Sequence, residues 1–196
     1  MPETWALILS HQFVFQGMFL IKNISLYRKT GETIRGKNME ATLSTVFFSI
    51  FIVVALAMAF SDRPPGKIHW LSDALTMPLG LALLSLSLLI SGAALIHLKD
   101  SWRIGIIDAQ ATDLATDGIY RFSRNPYFVS WILMFAGYSL ILKNAILFGL
   151  WIPCVWVIRL MILAEEAYLH SAHGDDYARY KKKTPRYIGL NVHSNK

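Results

Sequence analysis

Cysteine is almost absent from this chain. Cys154 stands alone within an apolar run, so neither an intrachain disulfide framework nor a cysteine-ligated metal site can be assembled. Charge is scarce as well: only 16% of the residues are Asp, Glu, Lys or Arg, and several long stretches carry none, which excludes an ordinary soluble domain. No internal repeat or low-complexity segment is present. No tight Gly-x-x-x-Gly dimer motif stands out, so the oligomeric state stays open. Residues 1–21 lack the basic n-region and small-residue cleavage site of a signal peptide, and the first apolar run is expected to persist as a helix.

Apolar residues supply 54% of the chain, and the mean hydropathy is +0.41. Uncharged runs cover residues 4–21, 41–61, 74–98, 125–142 and 144–158, the last continuing past Arg159 to residue 164. The expected fold is therefore all-α, an integral membrane bundle of five transmembrane helices ending in a helical hairpin and a polar tail. Lys22, Arg28, Lys29, Arg35 and Lys37 sit in the first connection, Lys99, Arg103, Arg121 and Arg124 in the third, and Arg179, Lys181, Lys182, Lys183, Arg186 and Lys196 in the tail. The second and fourth connections hold only Arg63, Lys67 and Lys143. This asymmetry places the N-terminus outside and the tail in the cytosol. The formal charge of +6 then reflects a basic face that attracts anionic headgroups at roughly 1 kcal/mol per residue; it calls for membrane lipids and no nucleic acid.

Small polar residues of the first three spans, such as His11, Gln12, Gln16, Ser85, Ser87 and Ser91, read as interhelical hydrogen-bonding groups. Pro64, Pro65 and Gly66 make an external turn, while Gly31 and Gly36 loosen the first cytosolic connection. Chemistry is expected after residue 98. Residues 1–98 form a scaffold with access for an acceptor, and residues 99–196 form the functional part.

Residues 118–127 read Gly-Ile-Tyr-Arg-Phe-Ser-Arg-Asn-Pro-Tyr, a polar knot at the border of an apolar run. Pro126 suits the first turn of a helix, whose free N–H groups can receive an anionic ligand group. Trp102 and Arg103 fit either an interfacial anchor or a pocket floor, and Asp113, Asp117 and Gly118 read as a turn. Arg159 lies inside the last span, shortly before Glu165 and Glu166, on a helix that Pro153 is expected to kink. A charge at that depth either pairs with one of those glutamates in the bundle interior or snorkels to the interface. A hairpin brings Arg124 and Pro126 to the membrane side of Glu165 and Glu166. Tyr177 and Tyr180, three apart on one helical face, form an aromatic lid or lie in the interface.

Together these residues resemble the membrane methyltransferases that include isoprenylcysteine carboxyl methyltransferases and phospholipid N-methyltransferases. The likeness runs from Trp102 to Arg186. It consists of Gly118 with Tyr120, the Arg-(His/Asn)-Pro element at Arg124, Asn125 and Pro126, the pair Glu165 and Glu166, and the Gly-x-x-Tyr-x-x-Tyr element from Gly174 to Tyr180, closing on Pro185 and Arg186. The resemblance implies a cytosol-facing pocket for S-adenosylmethionine, held by Gly118, Tyr120, Arg124, Asn125, Pro126, Glu165, Glu166, Tyr177 and Tyr180. It implies a lipophilic small-molecule or lipidated acceptor entering from the bilayer, most like an isoprenylcysteine carboxyl group, with a phospholipid amine or a thiol as alternatives. No metal is required. Arg159 or Arg103 would orient an acceptor carboxylate, and Glu166 or a tail tyrosine would take the proton of an amine or thiol.

The chain departs from that pattern at Asn125, where the family often has histidine, and at Phe128, which stands where a tyrosine is usual, with Tyr127 one position early. Asparagine hydrogen-bonds but does not titrate. The rival chemistry is an NADPH-dependent sterol-type reductase, similar over the same C-terminal elements. It needs more membrane helices than 196 residues supply. A non-catalytic membrane module is the third reading, and the paired charges argue against it.

Overall fold

Each uncharged run becomes a helix, because a bilayer offers no water to backbone N–H and C=O groups and a helix pairs them internally. The structure, a computed structural model, describes residues 4–31, 39–102 and 113–189. Its helices are α1 (Thr4–Thr30), α2 (Met39–Phe60), α3 (Asp73–His97), α4 (Pro126–Leu142) and α5 (Ala145–Lys183), with 3-10 turns at Lys99–Ser101 and Gly118–Arg121. No strand occurs among the described residues. Four of the helices are long and apolar enough to cross a membrane. The fifth, α4, has 17 residues and reaches about 25 Å at 1.5 Å per residue, close to the hydrocarbon thickness. Arg35, Gly36, Lys37, Arg103 and Lys196 lie outside the described residues.

Two glycines bring α3 and α4 together. A Cβ on Gly80 would stand 3.0 Å from the Gly137 carbonyl oxygen, and one on Gly137 would stand 2.8 Å from Leu84 Cδ2. Such close backbone approach is how helices associate where lipid tails are as apolar as their side chains. Beside this seam, Phe15, Phe48, Phe51 and Phe135 are buried, with the Phe51 and Phe135 rings 4.4 Å apart.

Of the expected polar groups, His11, Gln12 and Ser87 stitch helices together, whereas Gln16 donates to Gln12 within α1 and the buried Ser91 hydroxyl has no partner among the described residues. Gln12 donates to Tyr138 Oη at 3.1 Å, the Tyr138 hydroxyl lies 2.8 Å from His11 Nδ1, and His11 Nε2 lies 3.0 Å from Ser87 Oγ. The group is buried and internally satisfied, a structural role for His11.

The α4–α5 hairpin turns at Lys143 and Asn144. Lys143 adopts the left-handed conformation (φ 48°, ψ 52°), and the Asn144 carboxamide oxygen accepts from Ile146 N at 2.9 Å and Leu147 N at 3.3 Å, capping α5. The proline-rich turn after α2 docks here: Asn144 Nδ2 donates to the Pro65 carbonyl at 2.8 Å, and Ala145 N donates to the Gly66 carbonyl at 2.8 Å. Lys143 also pairs with Asp73 at 2.6 Å, so the α2–α3 connection and the hairpin turn are clamped together. The break inside α5 falls at Gly174 (φ 50°, ψ −121°), while Pro153 keeps helical backbone angles.

Candidate active site

The opposite end of the hairpin gathers the charged residues. Gly118 takes a positive φ of 58°, and a Cβ there would overlap the His97 ring, so only glycine lets the chain turn this close to α3. The 3-10 turn delivers Tyr120, and Arg124 follows just before α4. Pro126 opens α4 as expected, with Asn125 at the N-cap position making no side-chain capping bond. The Asn125 amide instead donates to the Arg186 carbonyl at 3.1 Å, and Arg124 N donates to the Pro185 carbonyl at 2.9 Å. These bonds strap the segment after α5 across the start of α4.

Glu166 is the electrostatic centre. Arg186 holds it bidentately, Nε to Oε1 and Nη2 to Oε2, both at 2.9 Å, and Arg124 Nη1 lies 3.0 Å from Oε1. The side chains of Arg124 and Glu166 are only 7% and 8% exposed, where an ion pair survives only with good geometry and extra hydrogen bonds. Glu166 raises the pKa of the Arg186 guanidinium through those hydrogen bonds. Two guanidiniums on one carboxylate leave one positive charge in surplus. Arg124 Nη1 also donates to Tyr177 Oη at 3.1 Å, while its Nε is buried with no partner among the described residues. Tyr180 donates to the Tyr120 carbonyl at 2.7 Å, fixing the far side of α5 to the 3-10 turn.

A continuous cavity opens beside this cluster. Its polar end is lined by Arg124, Asn125, Glu165, Tyr120, Tyr177 and Tyr180, and its apolar end by Phe15, Phe19, Phe48, Phe128, Trp131 and Met161. Among the described residues no cation pairs with Glu165. The cavity is thus lined by the unpaired carboxyl of Glu165, by the Asp113 carboxyl, and by Arg124, one of the two guanidiniums that share Glu166. Tyr127 is also part of the lining and stacks on Phe15 at 6.1 Å.

Of the expected site residues, the structure gathers Tyr120, Arg124, Asn125, Pro126, Glu165, Tyr177 and Tyr180 around the cavity. Gly118 and Glu166 stand behind that lining, the first shaping the turn and the second holding Arg124. Trp102 lines the cavity and is buried with its indole N–H on Asn23 Oδ1 at 2.7 Å, so of its two readings the pocket floor holds. Tyr177 and Tyr180, both buried, form cavity wall instead of lying in the interface.

The expected interior pairing of Arg159 with Glu165 or Glu166 is overturned. Arg159 is exposed and shares the outer stripe of α5 with Trp156 and Leu163, opposite buried Val157, Ile158, Met161 and Ile162. The partners of Glu166 are Arg124 and Arg186. Arg186 is the site residue that sequence reasoning undervalued, noting it only as the end of a motif. Its signal was a cation following Pro185, but chain spacing does not reveal that the tail folds back.

Fold and site together define a helical, apolar bundle with a divided cavity, polar at one end and aromatic at the other. The chain belongs to the phospholipid methyltransferase family, whose model matches residues 75–176, just over half of the 196 residues. It is also similar to the protein-S-isoprenylcysteine O-methyltransferase of Schizosaccharomyces pombe, 38% identical over 78 residues. That stretch covers 39% of this chain and 33% of the yeast protein, so the chain matches about a third of that relative's length.

Proposed function

We propose that this protein is an S-adenosylmethionine-dependent methyltransferase acting on a lipophilic acceptor at the membrane interface, most like isoprenylcysteine carboxyl O-methylation. The observation that carries the reading is the charge layout of the cavity's polar end. S-adenosylmethionine carries an ammonium and a carboxylate on one carbon, and when bound it supplies a methyl group already activated on a sulfonium. Glu165, unpaired and facing the cavity, complements the ammonium. Arg124, with its orphaned Nε and the surplus charge it shares with Arg186, complements the carboxylate. The donor set therefore fits the cofactor.

The work of the chain is alignment and exclusion of water. Tyr120, Tyr177 and Tyr180 wall the polar end, with Asn125 and Pro126 at its base, and Gly118 and Glu166 hold that wall in place. The aromatic end, supplied by α1, α2 and α4, receives the acceptor's hydrocarbon, which gives residues 1–98 their role in acceptor access. We orient the bundle with the N-terminus outside and the cavity facing the cytosol, following the lysine and arginine bias. The reacting group of the acceptor is a carboxylate in the first instance and an amino-phospholipid amine in the second.

Calorimetric titration of the detergent-solubilised full chain with S-adenosylmethionine, S-adenosylhomocysteine and, in parallel, NADPH tests the reading. Saturable binding of the first two alone supports it and directs acceptor assays to prenylated thiols and amino-phospholipids. Binding of NADPH alone moves the cavity to reductase chemistry, and binding of none leaves a non-catalytic bundle.

A further inference from the structure

Beside the main cavity lies a second groove lined by Thr116, Arg121, Asp176, Arg179, Lys183 and Thr184. It shares Leu114 and Tyr180 with the main cavity as common walls. Three cations face one acid there. Asp176 is engaged by Arg179 in an i,i+3 ion pair, and neither Arg121 nor Lys183 has an ion-pair partner among the described residues. The two unpaired cations come from different elements, Arg121 from the 3-10 turn and Lys183 from the last turn of α5. Their convergence is therefore a product of the fold.

The neighbours of the groove are apolar where water alone would favour polarity. Phe122, next to Arg121, is 55% exposed, and Ile188, just past Thr184, is 61% exposed. Both lie at the end of the bundle where α4 begins and the chain leaves α5. Cations and hydroxyls flanked by exposed apolar side chains are the composition of an interfacial lipid site.

We propose that this groove binds the phosphate of an anionic phospholipid headgroup, with Arg121 and Lys183 as its cationic walls and Thr116 and Thr184 as hydroxyl donors. Phe122 and Ile188 enter the bilayer beside it. Thr184 leads directly into the strap that carries Arg186, so an occupied groove holds the strap over Glu166. The inference stands on residues separate from Glu165 and Arg124 and does not depend on the methyl-transfer reading.

The test is calorimetric titration of the full chain, in neutral detergent, with short-chain phosphatidylglycerol, short-chain phosphatidylcholine and inorganic phosphate. Saturable binding of phosphatidylglycerol is expected. It should weaken about thirtyfold in the double variant Arg121→Gln/Lys183→Gln, the effect of two interfacial cations. It should persist in Lys181→Gln/Lys182→Gln, which removes the same amount of charge from the last turn of α5 outside the groove, and in the charge-keeping Arg121→Lys/Lys183→Arg. Equal losses in the two charge-removing variants overturn the proposal in favour of diffuse attraction. So does loss in the charge-keeping variant, equal affinity for phosphatidylcholine, phosphate binding as tight as the lipid, or no binding by the unaltered chain.

Discussion

Tyr177 accepts a hydrogen bond from Arg124 Nη1 at 3.1 Å, joining the turn before α4 to the far part of α5. The same nitrogen lies 3.0 Å from Glu166, so tyrosine and glutamate together set the direction of a guanidinium that lines the cavity.

Tyr177→Phe removes only the hydroxyl from this arrangement. One hydrogen bond to a charged donor is lost, about 1.5–3 kcal/mol, so S-adenosylmethionine should bind at least about tenfold more weakly and Tm should fall by a few degrees. Titration calorimetry beside a thermal melt checks both numbers. Unchanged affinity would mean that the orientation of Arg124 does not matter to the ligand.

The two adjacent glutamates should separate. Glu165→Gln removes an unpaired carboxyl and is expected to abolish cofactor binding while Tm holds or rises. Glu166→Gln leaves Arg124 and Arg186 facing each other without a counter-charge and should destabilise the fold by roughly 2–4 kcal/mol, toward the lower end for broken buried pairs because Arg186 is partly exposed. Matching thermal and binding profiles in the two variants would contradict the assignment of distinct roles.

Arg159 should prove dispensable for cofactor binding. Arg159→Gln alters a side chain on the exposed stripe of α5, and the affinity for S-adenosylmethionine is expected to stay within about twofold. A large loss of affinity would return Arg159 to the site.

The α3–α4 seam tolerates no added volume. Gly137→Leu forces a branched side chain against Leu84 and the Gly80 carbonyl, and overpacking of this kind typically costs about 1–3 kcal/mol. The readout is the melting temperature in detergent, with Gly149→Leu as control, since nothing lies within 4 Å of a Cβ there.

Gly118→Ala carries two separable penalties, the left-handed backbone at φ 58° and the overlap with His97. The double variant with His97→Ala should recover the steric part and leave about 1–2 kcal/mol of backbone strain. If His97→Ala gives no recovery in thermal melts, the left-handed backbone at Gly118 alone, and not the close approach to α3, is what requires glycine.

Reading the chain alone was enough for the helices, the hairpin turn at Lys143 and Asn144, and the meeting of Arg124 with the glutamate pair. Each follows from a local rule: uncharged runs must be helical in lipid, and a short turn makes antiparallel neighbours whose ends coincide. Helix-start chemistry placed Pro126 at that end of the bundle as well, while Tyr120, Asn125, Tyr177 and Tyr180 were assigned to it only by the resemblance to the membrane methyltransferases. The local rules failed at Arg159, because periodicity states which residues share a stripe of α5 but not which stripe faces the bundle. They also failed to separate Glu165 from Glu166, neighbours in sequence with different surroundings.

Composition and spacing thus determined the class of fold and the end of the bundle where Arg124 and the two glutamates gather. The tertiary structure alone decided that the tail folds back through Pro185 and Arg186, that Glu166 is spent on two guanidiniums, and that Glu165 is left to face the cavity. The physical reason is that ion pairing at low exposure depends on angstrom-scale geometry between segments that meet only after folding, and no pattern along the chain encodes those distances.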